Sequence, residues 1–191
     1  MMQLREIVLK NRSCRRFNQG RAIDMETLRQ LIDLARLSPS GLNKQPLKYL
    51  LINELEKNAA VFGTLGWAGY LPDWHGPDEG ERPSAYIVIL GDTSIRPSFS
   101  VDPGIAAQSI MLGAVELGLG GCMIATIKKK VLAEAFNLAD HLEVLLVLAL
   151  GEPVEEVKIE PLGADGDVKY WRGPDNVHHV PKRSLDELII T

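Results

Sequence analysis

Three of the seven residues in the stretch NRSCRRF, positions 11–17, are arginines, in a chain whose net charge is −4. An arginine does not shed its proton to enter a core, so such a cluster faces water or an anion. Arg12, Ser13 and Arg15 put two guanidinium forks and a hydroxyl within four residues, directly after a predicted helix. A guanidinium grips a phosphate through parallel hydrogen bonds, so this set suits a phosphate group. The same residues also suit the solvated basic end of a helix, which the helix dipole favours.

Three further stretches bear on that choice. PSGLNKQP (39–46) offers Pro39, Ser40, Asn43 and Gln45; its amides donate and accept, as the edge of a heteroaromatic ring requires. Gly120 and Gly121, in GGC (120–122), remove side chains where a flat ring could lie against backbone amides. Lys182 and Arg183, in PKRSLDEL (181–188), form a second basic pair. Together the four stretches describe a mononucleotide cofactor with a planar head.

Other chemistries lack their parts. The GLGG run (118–121) follows a predicted helix, whereas a dinucleotide fingerprint or P-loop precedes one so that its amides face the phosphate. The sequence has no GxxxxGK[ST], no GxSxG elbow and no HExxH. His178 and His179 are adjacent, and neighbours on an extended chain point apart, so they make a poor metal pair. The acidic balance argues against a general nucleic-acid surface. No apolar run approaches a membrane span, and the charged start MMQLREIVLKNR lacks the core of a signal peptide. Cys14 and Cys122 are the only cysteines and form no CxxC pair; the expected setting is a reducing, cytoplasmic one.

The elements that must position these residues mix helices and strands. At 191 residues the chain suits one domain, 1–191, with a sizeable core. Helical spacing marks residues 2–10, and a second helix follows Asp24 with the stripe Leu28, Leu31, Ile32 and Ala35. Residues 38–46 break regular structure. Strands are predicted at 47–53, 85–92, 121–126 and 143–153, and helices at 103–119 and 128–137. Residues 63–84 form a long loop or lid carrying Trp67, Tyr70 and Trp74, which either cover a ligand or pack the loop. The tail starts irregular and ends apolar. Without strict βαβ alternation, α+β is favoured over doubly wound α/β.

From NRSCRRFNQ through LARLSPSGLNKQP and DPGIAAQSIMLGAVELGLGGCMI to PKRSLDEL, the sequence resembles the nitroreductase family of FMN-dependent oxidoreductases. The resemblance implies an α+β fold with a central, mostly antiparallel sheet flanked by helices. It also implies an intertwined homodimer with FMN at the subunit interface. Arg12, Ser13 and Arg15 resemble the family's phosphate and ribityl contacts, and Arg183, with Lys182 beside it, the late basic contact. Pro39, Ser40, Asn43 and Gln45 fall in the loop that approaches the flavin from the other subunit. Gly120 and Gly121 match the backbone near flavin N5. Leu47 stands where many members carry tryptophan.

The implied reaction is ping-pong. NADH or NADPH gives a hydride to flavin N5, and a nitroaromatic, quinone or similar small acceptor then takes it. The cofactor carries that chemistry, so no catalytic side chain is assigned. Two alternatives stand beside it: a specialised flavin reaction such as reductive dehalogenation or flavin fragmentation, and a sensor or store that binds FMN without turnover. Cys14 is either a thiol activated by flanking arginines or a small buried filler, and Cys122 is read as filler.

Overall fold

Every residue of strand β2 (Ala85–Asp92) is buried, although it runs antiparallel to both its neighbours. Antiparallel sheets commonly leave one face wet, so both faces of this one are covered. The computed structural model, which describes residues 2–190, shows how. Strands β1 (Leu47–Ile52), β2, β3 (Gly120–Ile124) and β4 (Leu142–Gly151) form a sheet in the order β1-β2-β4-β3, antiparallel throughout.

Alternation along the central strands divides the core in two. Ile87, Ile89, Leu148 and Leu150 face helices α2 (Met25–Leu37) and α4 (Asp102–Glu116) and pack with Leu28, Leu31, Ile110 and Met111. Tyr86, Val88, Val147 and Ala149 face helices α3 (Leu55–Phe62) and α5 (Lys129–Ala135) and pack with Val61, Ile124 and Leu132. Each fully buried aliphatic contributes about 1.5–3 kcal/mol relative to exposure. The α+β expectation, with a mostly antiparallel central sheet flanked by helices, holds.

Local signals set the helix ends. Asp24 accepts a hydrogen bond from Thr27 N (2.7 Å) and caps α2, a contact whose loss costs about 1 kcal/mol. Pro103 sits in the first turn of α4, where its missing N–H is not needed. Helix α1 (Leu4–Lys10) precedes the arginine stretch.

Two features depart from the expectation. Helix α3 was not foreseen between β1 and the long loop. The chain end is more ordered than expected: β5 (Val157–Pro161), β6 (Trp171–Arg172) and β7 (His178–Lys182) form a second sheet in the order β5-β7-β6, followed by helix α6 (Leu185–Leu188). These strands have two to five residues, too few for a period-2 pattern to emerge. The segment 63–84 has no helix or strand, as expected of a long loop. No helix among the described residues is long and apolar enough to cross a membrane.

Candidate functional site

Residues 13–17 run along the exposed edge of the main sheet. Ser13 bridges Gly121 in parallel, and Cys14 N–H donates to Gly121 O (2.9 Å). Phe17, fully buried, packs where a Cβ on Gly151 would lie 2.8 Å from its ring. The arginines therefore sit on a short strand-like segment anchored at both ends, not on a frayed helix terminus.

The three arginines have different surroundings. Arg16 already has an anion: Glu81 accepts from its Nε and Nη2, both at 2.6 Å. Arg12 caps the end of α1 by donating to Val8 O (3.0 Å), while its Nε is buried without a partner among the described residues. Arg15 is only 8% exposed. Its guanidinium donates to Ser13 O (3.3 Å) and contacts His178 Nε2 (3.2 Å), and no carboxylate among the described residues pairs with it. Glu155 lies nearby, but it accepts from the Arg15 main-chain N–H and from Arg172 Nη2 (3.0 Å).

Arg12, Ser13 and Arg15 open onto a cleft of about 290 Å³. Its second wall is Gln108 and Met111, one turn apart on α4, and its floor is Gly121 and Met123 of β3. The third wall is β7, where His178, Val180 and Lys182 share one face by strand alternation. Tyr170 closes the corner. Its ring lies 4.9 Å from the Arg15 guanidinium carbon and 5.0 Å from the His178 ring.

The structure places four of the sequence-derived site residues away from this cleft. Arg183 lies beyond the end of β7 and contacts Glu187 (3.4 Å), and of the late basic pair Lys182 lines the cleft. Gly120 lines a neighbouring groove with Cys14 and Pro153, and only Gly121 reaches the cleft. Trp67 is 9% exposed and belongs to the core beneath α3, with Trp74 packed edge-on against it at 6.4 Å. Neither tryptophan lines the cleft, because the apolar loop residues fill the second core layer. Tyr70 alone approaches the cleft: its ring lies 5.0 Å from that of Tyr170, and its N–H donates to the Tyr170 hydroxyl (3.3 Å).

The amide-rich loop lies apart from the arginines. Pro39, Ser40 and Gln45 line a second cleft of about 230 Å³, on another stretch of α4, beside Tyr49 and Asp102. The buried Asp102 carboxylate accepts from Ser40 Oγ (2.6 Å) and Gly41 N (3.0 Å) and so fixes the loop. Gln45 donates its side-chain amide to Asn43 O and Oδ1 (3.3 and 3.2 Å). Leu42, Asn43 and Gln45 all have left-handed backbone, φ 54°, 54° and 50°, a strained state for residues other than glycine.

Burial sets the titrating groups. The Cys14 thiol is pushed up to about 12, first by burial and then by Glu155, and burial also raises Cys122. Both are filler rather than activated thiols. His178 is pushed down to about 4 by burial, with the charges of Arg15 and Arg172 adding to it.

Tyr170, Gln108 and Met123 were not singled out in the sequence, and His178 was weighed there only as half of a poor metal pair. The one signal for His178 was its phase with Lys182 two residues either side of Val180, legible only once β7 is known to be a strand.

The nitroreductase family model matches residues 8–67 and 78–152. The chain belongs to the nitroreductase family. Membership makes it an FMN-dependent NAD(P)H oxidoreductase, as the resemblance implied. A protein of Methanothermobacter thermautotrophicus named as an NADH dehydrogenase/NAD(P)H nitroreductase is 27% identical over 161 residues, spanning 81% of this chain and 79% of its own. The crystal structure of a nitroreductase family protein from Clostridium novyi NT superposes with a TM-score of 0.66 at 22% identity, covering 97% of this chain and 98% of that one. A nitroreductase of Exiguobacterium sibiricum, crystallised in complex with FMN, gives a TM-score of 0.67 at 22% identity, covering 81% and 90%. The family match ends before the second sheet, so Tyr170, His178 and Lys182 lie outside it.

The cleft fits a flavin phosphate. The buried Arg15 guanidinium pairs with no carboxylate among the described residues, Arg12 Nε is buried without a partner among them, and the exposed Lys182 opens onto the same cleft. Buried charge without a counter-ion is strongly disfavoured, and an anion in this cleft removes the penalty.

Proposed function

We propose that this nitroreductase family member holds the FMN phosphate and ribityl chain on Arg12, Ser13, Arg15 and Lys182. In the same reading it passes reducing equivalents from NADH or NADPH to a nitroaromatic, quinone or similar small acceptor by a ping-pong cycle. The observation that carries the reading is Arg15, 8% exposed, whose guanidinium pairs with no carboxylate among the described residues. The complex of the Exiguobacterium relative with FMN supports it.

When bound, FMN supplies the hydride chemistry. The chain's own residues bind and orient. Arg15 is pre-positioned by Ser13 O, by His178 and by the face of Tyr170, so little side-chain freedom is lost when the anion arrives. Arg12 is fixed through Val8 O, and Lys182 brings a flexible cation from the end of β7. His178 is held neutral and accepts from Arg15, so it is not a proton donor to the acceptor.

The reading includes a homodimer, with all of residues 1–191 acting as one FMN-binding domain. The loop bearing Pro39, Ser40, Asn43 and Gln45 lines a different cleft from Arg15, which supports its reaching the flavin of a second subunit. The exposed Leu42 at a left-handed position also supports a loop shaped to meet another surface.

Purified protein is expected to release FMN, not FAD, on denaturation. NADH or NADPH should bleach it anaerobically, and a nitroaromatic or quinone should restore the colour. Parallel double-reciprocal lines and a sedimenting dimer complete the expectation. Recovery of FAD, or failure of the apoprotein to take up FMN, overturns the reading.

A further inference from the structure

A separate cavity of about 340 Å³ lies between α3, the end of the long loop and the start of β2, and shares no lining residue with the flavin cleft. Three of its residues carry buried polar atoms without a hydrogen-bond partner among the described residues: Asn58 Oδ1, Arg82 Nε and the Tyr86 hydroxyl. They come from α3, the loop and β2 respectively. Native proteins leave few such atoms, and each bears its full desolvation cost.

The wall is built rather than accidental. Asn58 is 9% exposed, and its Nδ2 donates to Ser84 O (2.7 Å), which turns Oδ1 the other way. Gln19 Oε1 accepts from the main-chain N–H of Gly80 and Arg82 (2.7 and 3.3 Å) and so fixes the loop. The Arg82 guanidinium stacks 4.4 Å from the centre of the Phe62 ring and pairs with no carboxylate among the described residues. The exposed Glu79 lines the same cavity and pairs with no cation among the described residues.

Two donors, one of them cationic, therefore share a small cavity with two acceptors, one of them anionic. Donors of this kind suit a carboxylate and the acceptors suit an ammonium. Leu55, Ala59 and Phe62 offer apolar surface beside them. The partly exposed Arg82 and the exposed Glu79 add opposite charges to the lining that holds the three orphaned atoms. We propose that this cavity binds a free α-amino acid with an apolar side chain, its carboxylate on Arg82 and Tyr86 and its ammonium on Asn58 and Glu79.

The test uses the FMN-loaded protein, titrated calorimetrically with L-leucine, with 4-methylpentanoate, which lacks the amine, and with isopentylamine, which lacks the carboxylate. L-leucine should bind saturably, and each truncated probe should bind roughly 10- to 150-fold more weakly, the equivalent of one lost charged hydrogen bond. Arg82→Gln and Tyr86→Phe should weaken L-leucine by a similar factor and leave FMN content unchanged. Tyr86→Phe should also unfold, without ligand, at the wild-type temperature or higher, because the hydroxyl it removes is unpartnered. Equal binding of the three probes, unchanged affinity in both variants, a lower unliganded Tm for Tyr86→Phe, or no saturable heat at millimolar L-leucine overturns the proposal.

Discussion

The Arg15 guanidinium lies 3.2 Å from His178 Nε2, and because arginine can only donate, the imidazole must accept there. His178 is therefore neutral, with its proton on Nδ1, a buried atom that has no partner among the described residues. A second proton would set two cations against each other.

Stability should follow that constraint with pH. His178 has its pKa lowered from 6.5 to about 4, so between those values the unfolded chain binds a proton that the folded chain refuses. The contribution is fully present above about pH 6.5 and is lost as pH falls towards 4. Denaturant titrations of wild type and His178→Gln should show the variant losing less stability across this window. An identical pH dependence in both would place His178 in a more solvated setting.

Phosphate and ring contacts separate by comparing FMN with riboflavin. Arg12→Ala and Lys182→Ala should weaken FMN by roughly 10- to 150-fold, as loss of one charge-assisted hydrogen bond does, and weaken riboflavin little. Arg183→Ala, whose side chain is turned to Glu187, should change neither. Titration of the apo-variants with both ligands measures this, and equal loss of both by Arg12→Ala would make the basic corner structural.

Trp67 and Tyr70 should part company. Trp67→Ala removes a buried core ring and should cost about 3–5 kcal/mol in denaturant unfolding. Tyr70→Ala, 50% exposed and stacked on Tyr170 at the edge of the cleft, should cost far less stability. Its effect should instead appear in the KM of the acceptor half-reaction, measured by stopped-flow reoxidation.

Both thiols should be silent in the native state. With Cys14 pushed up to about 12 and Cys122 raised by burial, almost no thiolate exists at neutral pH. Iodoacetamide should alkylate neither cysteine until the protein unfolds, as mass spectrometry would show.

Much of this was legible in the sequence because two-layer burial leaves continuous apolar runs. AYIVILGD and EVLLVLALG announced β2 and β4 in that way. The arginine stretch was legible too, since charge in an acidic chain needs a reason. What separates Arg15 from Arg16 was not: that difference lies in Glu81, remote in the chain and brought to Arg16 alone by the fold. The aromatic loop left cover and packing open, because tryptophans among glycines and prolines suit either, and Trp67 fills the space beneath α3. Gly76, with φ 117°, sits where a Cβ would lie 2.7 Å from that indole, so the loop's composition serves packing.

Strand β7 can be read in two frames, and only one turns His178 and Lys182 to the cleft proposed for the cofactor. His179 faces away from the cleft, stacked on Trp171 at 4.9 Å with its Nδ1 2.7 Å from Glu160. The frame is chosen by the tight turn from Gly173 to Val177, closed by Gly173 N–H to Val177 O (2.9 Å) and passing through left-handed Asn176. Deleting one residue from that turn would slide β7 by a single step and exchange the two sides of the strand. His179, Pro181 and Arg183 would then look inward, and His178 and Lys182 would be handed to solvent. A five-residue segment thus decides, by its parity alone, which side chains face the cleft beside the arginines.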